Sequence, residues 1–111
     1  METTTASRDE RAVVVAPDAQ AWIDDCGVLH VGDDWVVLPD VEWRLMELLV
    51  SRFAMTVRRH ALIAAAWPDD ADKETALNVR IGSLRRRIEP LALRITNVRG
   101  RGYVLDHVGP S

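Results

Sequence analysis

The apolar positions of the chain change period twice, from strand to helix and back, and those changes divide it. From Ala12 to Leu38 they fall in runs of about four or five residues separated by turn residues. Ala12–Ala16 ends at Pro17-Asp18, Ala21–Asp24 at Asp25-Cys26-Gly27, Val28–Val31 at Gly32-Asp33-Asp34, and Trp35–Leu38 at Pro39. Four β-branched or aromatic runs at such close spacing predict an antiparallel meander. From Val41 to Phe53 the spacing becomes helical. Val41, Leu45, Leu48 and Leu49 make a stripe that Trp43, Met46, Val50 and Phe53 widen into a broad buried face, and Pro39-Asp40 supplies the start.

Ala61 to Trp67 reads as a second, short helix, entered through Arg58-Arg59-His60 and stopped by Pro68. Pro68-Asp69-Asp70-Ala71-Asp72 reads as a loop. A third helix is predicted from Glu74 to Glu89, ahead of Pro90. Its Leu77, Ile81, Leu84 and Ile88 lie within about 60° of arc at roughly 100° per residue. The opposite face carries Thr75, Val79, Gly82, Ser83 and Arg86, flanked by Asn78, Arg80 and Arg87, so it is polar and partly basic with one outward valine. Leu93–Val98 and Tyr103–Val108 then read as two strands around Arg99-Gly100-Arg101-Gly102, a hairpin with two arginines at its tip. The polar, Thr-rich start of the chain has nothing to bury, and residues 1–11 are expected to form a flexible tail.

Charge changes this picture only when it is resolved by position. The 111 residues hold 14 Lys+Arg and 17 Asp+Glu, a net charge of −3, and as an average that speaks against a surface that grips phosphates. Residues 1–47 carry three basic and eleven acidic side chains, 48–79 four of each, and 80–111 seven basic and two acidic. The basic third coincides with the third helix and the hairpin, so this end can meet a polyanion while the acidic end stays solvated.

Candidate chemistry is sparse. Cys26 stands alone, and His30, His60 and His107 are isolated from one another, so no disulfide framework, metal site or cofactor is expected, and a reducing cytoplasm suits the chain. No pair of titratable side chains has the spacing of a nucleophile with its base, and no enzyme is expected. The longest apolar run, Ala61–Trp67, has seven residues against the ~20 needed to cross a bilayer, and Met1–Thr5 lacks the basic and apolar regions of a secretion signal. No membrane partner is expected.

Strands, three helices and a terminal hairpin with a basic tip make a winged helix-turn-helix arrangement, and its motifs resemble those of the OmpR/PhoB-type winged-helix effector domain of bacterial transcriptional regulators. Glu42-Trp43-Arg44-Leu45-Met46 resembles that family's Glu-aromatic-x-Leu-Leu in the first helix, and Leu62-Ile63 followed by Trp67 its Leu-Leu-x-x-x-Trp. Leu77-Asn78-Val79-Arg80-Ile81, with Leu84-Arg85-Arg86-Arg87-Ile88, is similar to the recognition helix, and Val98-Arg99-Gly100-Arg101-Gly102-Tyr103 to the wing signature. Together they span about Ala12 to Val108. The resemblance implies an α+β fold in one DNA-binding domain over 12–108. It comprises an N-terminal four-stranded antiparallel sheet (12–38), a three-helix core (40–89) and a C-terminal β-hairpin wing (93–108).

It also implies a cytoplasmic, sequence-specific regulator of transcription bound to double-stranded DNA, with the third helix in the major groove and the wing at the minor groove. Val79 then faces a thymine methyl, and Thr75, Asn78 and Ser83 hydrogen-bond base edges or phosphates. Arg86 takes a phosphate or a distant base, Arg80 and Arg87 suit phosphates, Arg99 goes to the minor groove, and Arg101 to a phosphate. Arg58 and Arg59, opening the second helix, either contact phosphates or are simply solvated. Trp67 either donates its indole N–H to a phosphate or packs as core. Trp22, Trp35 and Trp43 read as core or inter-element packing, and Tyr103 as a brace for the wing.

Three departures from the family pattern stand out. Gly82-Ser83 occupies positions where a basic or larger polar residue is common, and Pro39 one where a capping Thr or Ser is common. The family usually carries a phosphoacceptor receiver domain ahead of this one. Only residues 1–11 precede the first strand here, so the expectation is a stand-alone regulator or a piece of a longer one, without aspartate phosphorylation inside the chain. By resemblance, family members bind direct repeats as head-to-tail pairs and touch RNA polymerase or a sigma factor through the loop that is acidic here, Asp69–Asp72. The alternative is an interaction module that docks on polymerase, a sigma factor or another regulator through its acidic sheet and binds DNA weakly.

Overall fold

The computed structural model describes residues 14–16 and 20–108. The expected tail and the first two residues of the Ala12–Ala16 run lie outside the described residues. Strands β1 (Val14–Ala16), β2 (Ala21–Ile23), β3 (Val28–Val31) and β4 (Asp34–Val37) form one antiparallel sheet in chain order. Alternation along the strands turns Ala21, Ile23 and Leu29 inward, and α1 (Asp40–Ser51) covers that face, packing on β1 and β2. Pro39 holds the N-cap position of α1 without a side-chain cap, and Asp40 and Glu42 lie in its first turn, where the helix dipole favours acids. The helix ends at Ser51, short of Phe53, because the chain turns at Arg52 and Ala54 takes φ 67°.

Helix α2 (Arg59–Ala66) begins two residues before the apolar run, since apolarity marks the buried face of a helix and not its end. Helix α3 (Glu74–Ile88) passes into a 3-10 turn, Glu89–Leu91, that ends at Ala92 with φ 61°. Its predicted stripe is buried throughout: Leu77, Ile81, Leu84 and Ile88 are each no more than 1% exposed. With Leu45, Met46, Leu49 and Leu62 they form the centre of the core.

Strands β6 (Leu93–Val98) and β7 (Gly102–His107) make the predicted hairpin. A strand that the sequence reading did not foresee, β5 (Thr56–Arg58), joins it on the far side of β7, so the second sheet runs β5-β7-β6. Three residues with only Val57 buried give no readable period. Gly102 makes the pairing possible: at φ 152° its backbone passes so close to β5 that a Cβ would overlap the Val57 carbonyl.

Trp22 and Trp35 are not core residues, although Trp22 packs between elements on the His30 ring of β3. They are 38% and 63% exposed, because they occupy strand positions out of phase with Ala21, Ile23 and Leu29 and so project from the outer face of the first sheet. Trp43 is half-buried against the core.

Candidate nucleic-acid interface

With its Leu/Ile stripe buried, α3 turns Thr75, Asn78, Val79, Arg80 and Arg86 to solvent, and Gly82, Ser83 and Arg87 are half-buried. Val79 is 55% exposed on an otherwise polar surface. The arginines of this helix fall into different environments. Arg87 Nε donates to Glu42 Oε1 at 2.7 Å and Arg80 Nη1 to Glu42 Oε2 at 3.4 Å, while Glu42 itself is 1% exposed. One carboxylate of α1 thus holds two turns of α3. Arg86 Nη2 lies 3.5 Å from Ser83 Oγ. Arg85 Nε donates to the Ile95 carbonyl at 2.9 Å, tying α3 to the hairpin.

A second network joins three elements. The Arg59 guanidinium at the start of α2 donates to Glu74 Oε1 at 2.9 Å, to Asn78 Oδ1 at 3.0 Å and to the Tyr103 hydroxyl at 2.9 Å. That hydroxyl donates in turn to Asn78 Oδ1 at 3.2 Å. Partial burial pulls the Arg59 pKa down, but the bonds to Glu74 and Tyr103 outweigh it and hold the value above the ordinary one. Tyr103 is 4% exposed and braces the base of the hairpin, as expected. Neither this network nor the Glu42 anchor is visible in the sequence periodicity. Glu42 was legible only as a family motif position, and an acidic residue at core spacing was the available signal.

At the hairpin tip Arg101 N–H donates to the Val98 carbonyl at 2.8 Å, and Gly100 takes φ 76°. Arg99 and Arg101 are both exposed. Arg58 closes β5 at the N-cap of α2, and with Thr56, Gly100 and Arg101 it lines a polar cleft of about 550 Å³. Trp67 is half-buried directly after α2. In the loop before α3, Asp70 Oδ1 accepts the Asp72 N–H at 3.0 Å, and Lys73 Nζ lies 3.4 Å from Asp70 Oδ2. These bonds hold the Asp70 pKa below the usual range, the backbone bond foremost, and Asp69 and Asp72 face solvent. Among the described residues no helix is long and apolar enough to cross a membrane.

Comparison with known proteins places this geometry among relatives. Residues 33–105, about two thirds of the chain, match the family described as "Transcriptional regulatory protein, C terminal". Over 75 residues the chain is 40% identical to the heme response regulator HssR of Staphylococcus saprophyticus, covering 64% of this chain and 34% of that protein. Over 79 residues it is 29% identical to the response regulator GraR of Staphylococcus aureus, covering 68% and 35%. The chain therefore spans about a third of the length of the curated relatives it matches. Among solved structures, the C-terminal domain of the nisin resistance regulator NsrR superposes with a TM-score of 0.63 at 28% identity, covering 80% of this chain and 92% of that one. The DNA-binding domain of the response regulator AdeR, solved with an intercistronic region, superposes with a TM-score of 0.67 at 23% identity, covering 79% and 95%, and speaks for the fold.

Proposed function

Because the chain belongs to the OmpR/PhoB-type family of transcriptional regulatory C-terminal domains, we propose that it binds double-stranded DNA sequence-specifically as a transcriptional regulator, with α3 in the major groove and Arg99 at the minor groove. The observation that carries the reading is Val79, an exposed valine on a polar helix face, for which a thymine methyl supplies an apolar partner. Around it, Thr75 and Ser83 offer hydroxyls to base edges or phosphates. Asn78 has its carbonyl occupied by Arg59 and Tyr103, which leaves its amide hydrogens to donate to DNA.

Arg80 and Arg87 keep further N–H donors while Glu42 fixes their position, which suits phosphate contacts, and Arg86 reaches a phosphate or a distant base. Arg58 and Arg101, across the polar cleft, flank a second backbone segment, and Trp67 contributes an indole N–H near α2. Arg59 acts chiefly by holding α2, α3 and the wing together. A net charge of −3 gives weak non-specific attraction to phosphates, so tight binding is best served by two copies on a direct repeat. The exposed Asp69 and Asp72 are then available to a basic patch on the transcription machinery.

Selection of binding sites from random duplex DNA, followed by a mobility shift, tests the reading. The wild type should enrich one sequence, and Val79→Asp and Arg99→Ala should each weaken binding to it about tenfold or more. If no sequence is enriched, or both variants bind as the wild type does, the proposal fails.

A further inference from the structure

Four of the seven large hydrophobic side chains exposed among the described residues share one surface, the outer face of the N-terminal sheet. Strand register aligns Val15, Trp22, His30 and Trp35 in a single row across β1 to β4, with Val37 in the next row. The row is ordered: Trp22 stacks on His30 with ring centroids 4.0 Å apart and planes 8° from parallel, and His30 Nε2 lies 3.0 Å from Asp24 Oδ2. The solvent face of an antiparallel sheet is normally polar. Here Trp35 is 63% and Val37 53% exposed, and single scattered apolar residues do not line up across four strands.

The surrounding charge has one sign. Among the described residues of the sheet and its turns, 14–16 and 20–37, there are four aspartates and no lysine or arginine. Asp24-Asp25 lie in the turn before β3, Asp33 in the turn after it, and Asp34 at the first position of β4. Helix α1 packs on the inner face of the sheet and separates it from α3, so a molecule seated on the outer face leaves the proposed DNA surface open.

We propose that this face docks a partner protein through a segment that is apolar and bordered by lysine or arginine. The two tryptophans supply the buried anchor, and the aspartates at either end supply the electrostatic match. A second copy presenting the same face would set two acidic rims against each other, which disfavours symmetric self-pairing.

The test is selection of short random peptides on the full chain, with counter-selection on the double variant Trp22→Thr/Trp35→Thr, which keeps strand propensity. Enriched peptides should combine aliphatic or aromatic residues with flanking Lys/Arg and should shift tryptophan emission. They should weaken with salt and lose about tenfold or more in affinity on the double variant and on Asp25→Asn/Asp34→Asn. Both variants should retain wild-type mobility shifts on DNA, which separates this proposal from the previous one. Should the tryptophan variant fail to fold, the aspartate variant, confined to exposed positions, decides alone. No enrichment, an acidic or uncharged consensus, or equal binding to the variants would overturn the proposal. So would a dimer in sedimentation equilibrium that Trp35→Thr dissolves, because it would seat a second copy on this face.

Discussion

Replacing Glu42 with glutamine measures how firmly α3 is held on α1. The carboxylate is 1% exposed and faces Arg87 Nε at 2.7 Å and Arg80 Nη1 at 3.4 Å. Glutamine keeps the shape and one acceptor, but it removes the charge and turns an amide donor toward one guanidinium. A hydrogen bond to a charged group contributes about 1.5–3 kcal/mol. The full cost of breaking a buried pair, about 3–5 kcal/mol, does not apply, because the Arg80 and Arg87 side chains are 44% and 34% exposed and can turn to water. The expected loss is therefore about 2 kcal/mol, or roughly 10 °C in Tm for a domain of this size. Urea unfolding followed by circular dichroism reads it directly. A double-mutant cycle adds a sharper condition: Glu42 should couple to Arg87 by about 2 kcal/mol and to Arg80 by less than about 1 kcal/mol. Stability within about 0.5 kcal/mol of wild type, or the reverse order of coupling, would refute the anchoring role.

Two glycines of the wing separate steric from conformational cost. Gly102→Ala should cost about 3 kcal/mol or more in urea unfolding, because the new Cβ overlaps the Val57 carbonyl and forces β5 off β7. Gly100→Ala, at φ 76° with open space around it, should cost only about 1–2 kcal/mol. Tyr103→Phe removes a hydroxyl that accepts from Arg59 and donates to Asn78, and it should lower stability by about 1–2 kcal/mol. Asp24 gives a pH signature. Burial raises its pKa, but hydrogen bonds from His30 and from the Val28 and Cys26 N–H groups outweigh that and leave it below the ordinary value. A carboxylate depressed in the folded state contributes stability that is complete above the unfolded pKa of about 3.9 and is lost as pH falls through the folded value. Unfolding titrations below pH ~4 should therefore show a decline that is shallower in Asp24→Asn.

The layout of the fold was legible because its periods are clean. Four apolar runs between turn residues became four strands, and the Leu77–Ile88 stripe became the buried side of α3. What escaped was information that lies between elements. Val57 alone could not announce β5, whose existence depends on an absent side chain at Gly102 forty-five positions later. The exposure of Trp22 and Trp35 follows from strand phase, but aromatic residues in short runs look like core until the inward positions are known. The candidate interface was legible as a set of side chains and not as a set of constraints. Periodicity places Asn78, Arg80 and Arg87 along one helix face and says of Arg59 only that it opens the second helix, but a residue buried on α1 and a hydroxyl on the wing determine how each is held.

Helix α3 is proposed to read bases through Val79, and thymine-to-uracil substitution in the selected duplex probes that contact one methyl group at a time. Removing one methyl group at the contacted position should weaken the wild type by about 0.5–1 kcal/mol, as expected for a buried methyl, and should leave the Val79→Ala variant unaffected. If uracil at every thymine of the site weakens the wild type and Val79→Ala equally, or weakens neither, Val79 does not face a thymine methyl and α3 does not sit in the groove as proposed.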